Sequence, residues 1–341
     1  MKILVTGGAG FIGSNFVRMV LKEHSEVDLI NLDKLTYASI GSKEADVQKE
    51  IGKHGFIRAD ILEPQTYQAA LSGVEAIVHF AAETHVDRSF DDAEPFRRTN
   101  EEGTAQLLQA ARRADVRRFI HISTDEVYGE ALDGVLKRET DLPNPTNPYS
   151  ASKLAAEKIV LDAQRRFGDA LSISILRGTN NYGPYQFPEK VIPLFITQAF
   201  SGEPLPLYGD GLQEREWLFV EDFCRAIWLI LKKGAPGEIY NVGSGERMTN
   251  RRLAEIILDL CGGAGASPGG RISPVKDRPV HDRRYAVNFE KIQALGFAPR
   301  HRFAEALPSV VEWYRARADW WQPIRERRSH QEFQTRWYAR S

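Results

Sequence analysis

The chain has 341 residues, of which 42% are hydrophobic and 27% charged, and its formal net charge is −1. This length suggests two substructures, or one large α/β body with a second lobe, and the apolar fraction is ample for a packed interior. The near-neutral charge gives no electrostatic reason to expect nucleic acid as a partner. No apolar run approaches the roughly 20 residues of a membrane span, and the first residues lack the features of a signal peptide. We therefore expect a cytoplasmic protein without a membrane partner.

In the first half of the chain, short apolar runs alternate with amphipathic stretches. The runs predict buried strands over residues 3–6, 28–32, 56–59, 76–80 and 119–123. The stretches predict helices that include residues 11–22 and 104–114. Such alternation is typical of a parallel sheet covered on both faces. Residues 37–55 are polar, and we expect a loop with a short helix there.

A glycine-rich turn follows the first strand and precedes the first helix. Gly7, Gly10 and Gly13 permit a tight turn, close approach to a pyrophosphate and close helix packing. The amino terminus of the helix would then face the phosphates. Asp33 ends the second strand, where a carboxylate binds ribose hydroxyls and favours NAD over NADP. Asp60 is placed either to hold the adenine edge or as an ordinary loop residue.

A second set of polar residues follows the fifth strand. Asp125 and Glu126 stand at its carboxyl end, where open α/β sheets build their sites. Like-charge proximity and unequal burial push two carboxyl pKa values apart, so that one group serves as acid and the other as base. A helix cap or a solvated loop is the alternative interpretation of this pair.

Tyr149 and Lys153 lie four residues apart, on one face of a helix that Asn147 caps and Pro148 begins. A lysine ammonium nearby favours tyrosinate, so we expect Lys153 to lower the pKa of Tyr149 and make it a usable base. An ordinary solvated helix remains the alternative.

The second half of the chain is less regular. Residues 148–167 predict a long helix and 172–176 a strand, whereas the Gly-, Pro- and Asn-rich segment 178–217 predicts loops that shape a pocket. Further helices are expected over residues 221–232, 250–261 and 303–316, and a surface loop over 262–270. The Arg-rich stretch after Trp321 favours a solvated helix. Cys224 and Cys261 lack metal-ligand spacing and are expected in the core of a protein in a reducing compartment, so no metal site is predicted.

The chain resembles the extended short-chain dehydrogenase/reductases in its glycine turn and in residues 33–37, 79–87, 123–129 and 149–153. Residues 180–190, 206–211 and 277–285 narrow the resemblance to the dTDP-glucose 4,6-dehydratases, from Met1 to about Trp321. The resemblance implies a Rossmann-type doubly wound parallel sheet with a smaller α/β C-terminal substrate lobe. We place the NAD-binding domain at 1–177, with 215–245 returning to it, the substrate lobe at 178–321 and a basic tail at 322–341.

For the chemistry, the resemblance implies that Tyr149 takes the proton of the sugar 4-hydroxyl while NAD⁺ takes the hydride from C4. Lys153 then holds the nicotinamide ribose, and Thr124 binds the 4-oxygen. Glu126 removes the C5 proton and Asp125 protonates the departing 6-hydroxyl, which gives the 4-keto-6-deoxy sugar.

The resemblance also implies two sets of binding residues. Cofactor contacts are expected from Gly7, Gly10, Phe11, Ile12, Gly13, Asp33, Lys34, Leu35, Thr36, Asp60, Ile61, Phe80, Ala81, Ala82, Thr99, Tyr149, Lys153 and Asn181. Substrate contacts are expected from Thr84, Thr124, Asn180, Lys190, Val191, Pro206, Leu207, Tyr208, Arg215, Asn250, Asp277, His281 and Tyr285.

Several positions depart from the family's pattern. Val280 replaces a usual glycine, Gly178-Thr179 replaces a small Cys/Ala-Ser pair, and residues 40–55 and Glu101-Glu102 also differ. These departures leave the nucleotide base open, so dehydratases acting on UDP- or other sugars stay alternatives. A nucleotide-sugar 4-epimerase or decarboxylase, which does not need the acidic pair, and a non-catalytic NAD-binding regulator stay open as well.

Assembly is the last expectation. The resemblance implies a homodimer in which helices 101–114 and 151–166 of each copy form a four-helix contact. Its apolar surface is expected from Leu107, Leu108, Ala111, Leu154 and Val160.

Overall fold

The computed structural model describes residues 1–262 and 272–338. Its strands are β1 (Lys2–Thr6), β2 (Asp28–Asp33), β3 (Gly55–Arg58), β4 (Ala76–His79), β5 (Arg118–Thr124), β6 (Ser172–Gly178), β7 (Asn180–Tyr182), β8 (Leu205–Tyr208), β9 (Glu214–Phe219), β10 (Ile239–Val242), β11 (Arg247–Thr249) and β12 (Ile272–Val275). Seven of them form one sheet in the order β10-β6-β5-β4-β1-β2-β3. All neighbouring pairs in this sheet are parallel.

The α-helices are α1 (Phe11–Glu23), α2 (Glu44–Ile51), α3 (Pro64–Tyr67), α4 (Val86–Asp91), α5 (Glu94–Phe96), α6 (Thr104–Arg113), α7 (Pro148–Phe167), α8 (Val191–Phe200), α9 (Val220–Lys233), α10 (Asn250–Cys261), α11 (Glu290–Gln293), α12 (Phe303–Ala316), α13 (Ala318–Arg325) and α14 (Arg328–Tyr338). A π-helical stretch (Arg97–Gly103) precedes α6, and short 3₁₀ turns include Asp125–Tyr128.

Both faces of the large sheet are covered because its strands are apolar on both sides. Ile3 and Val5 point into a core shared with α1 and α9, whereas Leu4, between them, points into a core shared with α6 and α7. The predicted doubly wound parallel sheet is therefore confirmed. The short helix expected within residues 37–55 is also present, as α2.

A smaller lobe lies beyond β6 in the chain and contains two small sheets. One has the strand order β11-β9-β7 and the other pairs β12 with β8 in parallel. α9 and β10 return to the large sheet, where β10 pairs with β6. We propose, on this basis, a cofactor domain over residues 1–177 with 215–245 returning to it, and a substrate lobe over 178–321.

Residues 178–217, expected to be loops that shape a pocket, also contain regular elements. This segment contains β7, β8, part of β9 and the ten-residue helix α8. α8 is apolar around most of its circumference and largely buried, so it lacks the amphipathic period by which a surface helix is recognised. The loop expected over 262–270 lies, beyond Gly262, outside the described residues.

The helix expected after Trp321 is present as α14, but the expectation that it is solvated was wrong. In α14 the side chains of His330, Phe333 and Trp337, spaced three and four residues apart, are buried. Phe333 packs edge-on against His85 with 5.0 Å between ring centroids, and Arg336 pairs with Asp91 at 2.9 Å. The arginines masked an apolar stripe that docks on α4.

Across residues 1–262 and 272–338, no helix combines the length and apolar character needed to cross a membrane.

Candidate active site

The glycine turn follows β1 at the carboxyl edge of the sheet. Within the sheet, β1 lies between β2 and β4. Gly7 has a positive φ of 71°, and a Cβ there would lie 2.6 Å from the Ala81 nitrogen. A Cβ on Gly13 would lie 2.3 Å from the Gly7 carbonyl oxygen. Both positions therefore require glycine. Gly10 begins α1 without a capping side chain, so backbone N–H groups of the first turn are available to an anion.

Asp33 fastens this turn to the second strand. Its carboxylate accepts hydrogen bonds from the Ala9 amide at 3.0 Å and from the Leu35 amide at 2.7 Å. Burial raises the pKa of Asp33, and these two amides oppose the shift. The Asp60 carboxylate, by contrast, pairs with Lys34 at 3.3 Å.

A cavity of about 300 Å³ opens beside the turn. It is lined by all the predicted cofactor residues except Leu35, whose amide serves Asp33 instead. Open helix amides next to a buried carboxylate match the phosphates and ribose hydroxyls of NAD. The residues present therefore fit this dinucleotide.

The five predicted catalytic residues, Thr124, Asp125, Glu126, Tyr149 and Lys153, line the same cavity. Two elements bring them together: the end of β5 with its 3₁₀ turn, and the first turns of α7. Asn147 caps α7 and Pro148 occupies its first turn, as expected.

The structure differs from expectation in the electrostatics of Tyr149. Burial raises its pKa, the Glu126 charge adds to the rise, and a hydrogen bond with Thr124 opposes it. Lys153 is not among the groups that shift this pKa, and its ammonium donates to the Ile122 carbonyl oxygen at 2.7 Å. Burial lowers the pKa of Lys153 itself to about 8.

The two neighbouring carboxyl groups have unequal surroundings. Burial raises the pKa of Asp125 well above its usual range, and the charges of Glu126 and Glu216 raise it further. Burial also raises the pKa of Glu126, but Arg215, Arg278 and Lys190 oppose that shift. Asp125 is therefore the group that holds a proton, and Glu126 is the better candidate for the ionised form.

A second cavity, of about 140 Å³, adjoins the first. Glu126, Asn180 and Lys190 line both, so Glu126 stands where the two cavities meet, whereas Asp125 lines the first cavity only. Of the predicted substrate residues it is lined by Asn180, Lys190, Val191, Pro206, Leu207, Tyr208, Arg215, Asn250, His281 and Tyr285. Thr84 and Thr124 line the first cavity instead, and Asp277 lines neither but pairs with the His281 ring at 2.6 Å.

The second cavity carries buried cationic groups. Arg215 is held by the carbonyl oxygens of Glu214 and Asp282 and lies 4.2 Å above the Tyr285 ring. Arg278 pairs with the buried Asp87 at 2.5 Å. Among the described residues, the buried side-chain oxygens of Asn180 and Asn250 lack a hydrogen-bond partner. Such a set suits a phosphorylated, hydrogen-bonding ligand.

Sequence reasoning missed several lining residues. Arg278 stands inside the 277–285 segment from which its neighbours were chosen, and Glu189 stands beside Lys190. Their position next to residues already assigned to the site was the signal that could have identified them. Tyr338 lies far along the chain, and its ring reaches within 5.7 Å of the Tyr208 ring. No local pattern indicated this contact.

Comparison with known proteins agrees with this geometry. The sequence profile of the NAD dependent epimerase/dehydratase family matches residues 3–243. A dTDP-glucose 4,6-dehydratase of Streptomyces niveus is 47% identical over 330 residues, which are 95% of this chain and 96% of that protein.

Two solved structures with different activities resemble this fold. DesIV, a dTDP-glucose 4,6-dehydratase of Streptomyces venezuelae solved with NAD and TYD bound, superimposes with a TM-score of 0.88 at 45% identity and covers 95% of this chain and 100% of its own. A UDP-glucose 4-epimerase of Thermus thermophilus in complex with NAD superimposes with a TM-score of 0.83 at 31% identity. The match covers 92% of this chain and 99% of that chain. Dehydratases and epimerases thus share this fold, and only side chains distinguish them.

Proposed function

The chain belongs to the NAD dependent epimerase/dehydratase family, and on that premise we propose that it is a dTDP-glucose 4,6-dehydratase, a lyase that removes water from a nucleotide-activated glucose. This proposal rests on the acidic pair Asp125–Glu126, which lines the first cavity together with Tyr149 and of which Glu126 also lines the second cavity. A 47% identical relative named dTDP-glucose 4,6-dehydratase supports it.

The cofactor is NAD. When bound, it accepts a hydride from C4 of the sugar and returns it to C6. The chain's own contribution would be to hold the dinucleotide: the uncapped first turn of α1 would bind its diphosphate, and Asp33 would accept hydrogen bonds from a ribose. The Asp33 carboxylate would repel a 2′-phosphate, which supports NAD over NADP.

Tyr149 and Thr124 serve the 4-hydroxyl in this proposal. Both hydroxyls line the first cavity and bond to each other, so a sugar 4-oxygen placed between them would contact both. Tyr149 takes the hydroxyl proton as the C4 carbonyl forms, while Thr124 donates to the same oxygen. Tyr149 ends this step as the neutral phenol, the form that its raised pKa favours.

Asp125 and Glu126 perform the elimination. The C4 ketone acidifies the C5 proton, and Glu126, closest to the ionised form, removes it. Asp125 holds a proton because it is buried, and it delivers that proton to the 6-hydroxyl, which leaves as water. At the end, Glu126 returns its proton to C5, and Asp125 regains a proton in place of the one it gave to water, which balances the proton that Tyr149 took from the 4-hydroxyl.

The nucleotide occupies the second cavity. Arg215, fixed by two carbonyl oxygens, presents its remaining N–H groups to the diphosphate. Asn250 and His281 line the same cavity as further donors, and Pro206 and Tyr208 border the base. Val280, 45% exposed at the rim, adds bulk where the family usually has glycine.

A 4-epimerase is the main competing function. It shares the fold and the need for Tyr149, but it removes no water and needs no acid at C6. The burial of Asp125 at 3% exposure, with one oxygen unpartnered among the described residues, makes a merely structural role unfavourable. A non-catalytic regulator would have no use for either carboxyl group.

We also propose that the protein is a homodimer, with a modified contact. Leu107, Leu108, Ala111 and Val160 are buried within the chain itself and supply no surface, which corrects the sequence expectation. Leu154 packs against Val127 and Tyr128, so the contact is assigned to the side of α7 that carries Ala151, Ala155 and Ile159, spaced four residues apart. Light scattering should give twice the chain mass, and Ala155→Arg should give the single-chain mass with folding retained. A wild-type monomer at micromolar concentration would overturn this contact.

A cytoplasmic location is part of the proposal. Cys224 and Cys261 are buried free thiols, as is usual in reducing compartments. Secretion of the protein with both thiols oxidised would contradict it.

The experiment for the function is a substrate panel. Purified protein is incubated with dTDP-, UDP- and GDP-glucose, and each mixture is analysed for a 4-keto product that has lost water. We expect turnover of dTDP-glucose to exceed that of the other two sugars. Turnover of UDP-glucose alone would leave a dehydratase with a different base, and a galactose product without loss of water would show an epimerase.

A further inference from the structure

Asn147, the residue before α7, has its side-chain oxygen committed to the helix. That oxygen accepts from the backbone N–H of Ser150 at 2.8 Å, and the backbone N–H of Asn147 donates to the Ser150 hydroxyl at 3.3 Å. The two bonds form a reciprocal cap at the start of the helix that carries Tyr149 and Lys153. They also fix the orientation of the carboxamide, because its oxygen faces Ser150 and its nitrogen must point away.

The nitrogen of Asn147 points at the acidic pair. Nδ2 donates to the Glu126 Oε2 oxygen at 3.3 Å. Asn147 is 7% exposed and lines the second cavity together with Glu126. One buried side chain therefore joins the helix of Tyr149 to the turn of Asp125 and Glu126.

A cap alone does not explain asparagine at this position. Serine, threonine and aspartate cap helices about as well. The shorter serine and threonine side chains lack a second donor that reaches Glu126 while the cap is made. Aspartate has no donor at all and would add a negative charge beside the ionised Glu126. Asparagine is the capping residue that can also donate to a carboxylate.

We propose that Asn147 is a positioning residue for the elimination step: it holds Glu126 ionised and aimed at the sugar, through the same side chain that starts the helix of Tyr149. This inference rests on the proposed dehydratase function. Glu126 is thereby coupled to Tyr149 through one rigid carboxamide, so that the base of the second half-reaction stays in register with the phenol of the first.

The charges around Glu126 show why a single donor matters. Burial raises the pKa of Glu126, and the opposing groups come from separate elements. Titratable and charged groups that interact with it are Asp125 on the same turn, Tyr149 on α7, Lys190 before α8, Arg215 on β9, and Arg278 and Tyr285 after β12. The Asn147 hydrogen bond acts with the cations, so its loss raises the pKa of Glu126 further.

Asn147→Ser separates the two roles, because serine keeps the cap and removes the donor. We expect the melting temperature to stay within a few degrees of wild type and C4 oxidation, seen as NADH absorbance on adding substrate, to keep its wild-type rate. Elimination should slow about tenfold to hundredfold, the loss typical of a hydrogen bond to a charged group. The acid limb of the pH–rate profile for elimination should move to higher pH, because Glu126 then ionises only at a higher pH. Asn147→Asp should move the limb further, and C5-deuterated substrate should show a larger isotope effect in both variants.

Two outcomes would overturn the proposal. Wild-type elimination with an unmoved acid limb in Asn147→Ser would make Asn147 a cap only. A slower rate that accompanies a lower melting temperature, with the acid limb unmoved, would show a structural role only. If the serine variant does not fold, Asn147→Thr gives the same comparison. Failure of the wild-type protein to form any 4-keto-6-deoxy product would overturn the function itself, before the variants are compared.

Discussion

The ammonium of Lys153 donates a hydrogen bond of 2.7 Å to the carbonyl oxygen of Ile122, and this bond ties the middle of the second turn of α7 to the strand β5. Lys153 is 4% exposed. Because Thr124, Asp125 and Glu126 follow Ile122 directly, the helix of Tyr149 and the turn of the acidic pair form one unit. The site is thus assembled by a bond that places a cation in the protein interior.

That burial gives a pH dependence of stability. The pKa of Lys153 is lowered by burial to about 8, whereas the unfolded chain keeps the ordinary value of about 10.4. Between these values the unfolded state binds more protons, so this group adds stability as pH rises through the window. Relative to Lys153→Met, wild type should gain about 2 kcal/mol between pH 7.5 and 10 in urea unfolding. Lys158→Met, on the exposed side of α7, is the control, and an equal gain there would refute the assignment.

The contribution of Asp125 to stability changes with pH in the opposite direction to that of Lys153. Burial raises its pKa, so at neutral pH ionisation of this group is disfavoured in the fold and costs stability. The cost is absent below the unfolded value of about 3.9, where both states are protonated. Asp125→Asn should therefore be more stable than wild type at pH 7.5 by about 0.5 to 2 kcal/mol, as neutralised active-site charges commonly are. The difference should shrink as pH falls toward 4. A variant less stable than wild type at neutral pH would contradict this.

The two half-reactions should separate by mutation. Tyr149→Phe should block both and cost about 10² to 10⁴ in rate. Asp125→Asn should still oxidise C4, so NADH absorbance appears while the 4-keto-6-deoxy product forms slowly. A substrate with fluoride at C6 needs less protonation of its leaving group, and it should restore much of the elimination in Asp125→Asn but not in Glu126→Gln.

Controls for this separation are direct. Tyr240→Phe, which removes a hydroxyl that accepts from the Ala235 amide, should retain turnover, because neither residue lines either of the two cavities. Dehydration of the natural substrate by Asp125→Asn at the wild-type rate would remove Asp125 from the role of acid. Equal rescue of both variants by fluoride would mean that the two carboxyl groups share their roles.

Docking of α14 should depend on Phe333. Its ring is 5% exposed, packs on His85 and lies 4.4 Å from the Arg88 guanidinium. Phe333→Ala should loosen α14 by about 3 kcal/mol, the usual loss for a buried aromatic ring. Because Tyr338 at the end of α14 lines the second cavity, we expect KM for the nucleotide sugar to rise more than kcat falls. Limited proteolysis reports the release, with exposed Thr335→Ala as the control, and unchanged protection of α14 in Phe333→Ala would refute the idea.

The parts predicted from the sequence were those written in neighbouring residues. Gly7, Asp33 and Tyr149 each sit at the end of a strand or the start of a helix, and parallel strands bring such ends to one edge. Tyr338 reaches the second cavity only through the docking of α14, and no local pattern encodes that contact. The apolar stripe with Leu107 and Leu108 was assigned to a partner because a sequence does not distinguish a face that meets the sheet from one that meets another chain.

Nor did the motif around Tyr149 reveal its electrostatics. A lysine four residues away indicated a lowered tyrosine pKa. In the structure the Lys153 ammonium donates to the backbone of β5, and burial raises the pKa of Tyr149. Desolvation depends on every group that covers the site, so spacing alone does not give it.

The central claim is that one active site oxidises C4, eliminates water across C5 and C6, and returns the same hydride to C6. The most direct test is to incubate the protein with dTDP-glucose that carries deuterium at C4, and to locate the label in the product by NMR and mass spectrometry. We expect a 4-keto-6-deoxy sugar that has lost one water and carries deuterium at C6. A product that retains the 6-hydroxyl and has its deuterium back at C4 would contradict the account and show an epimerase.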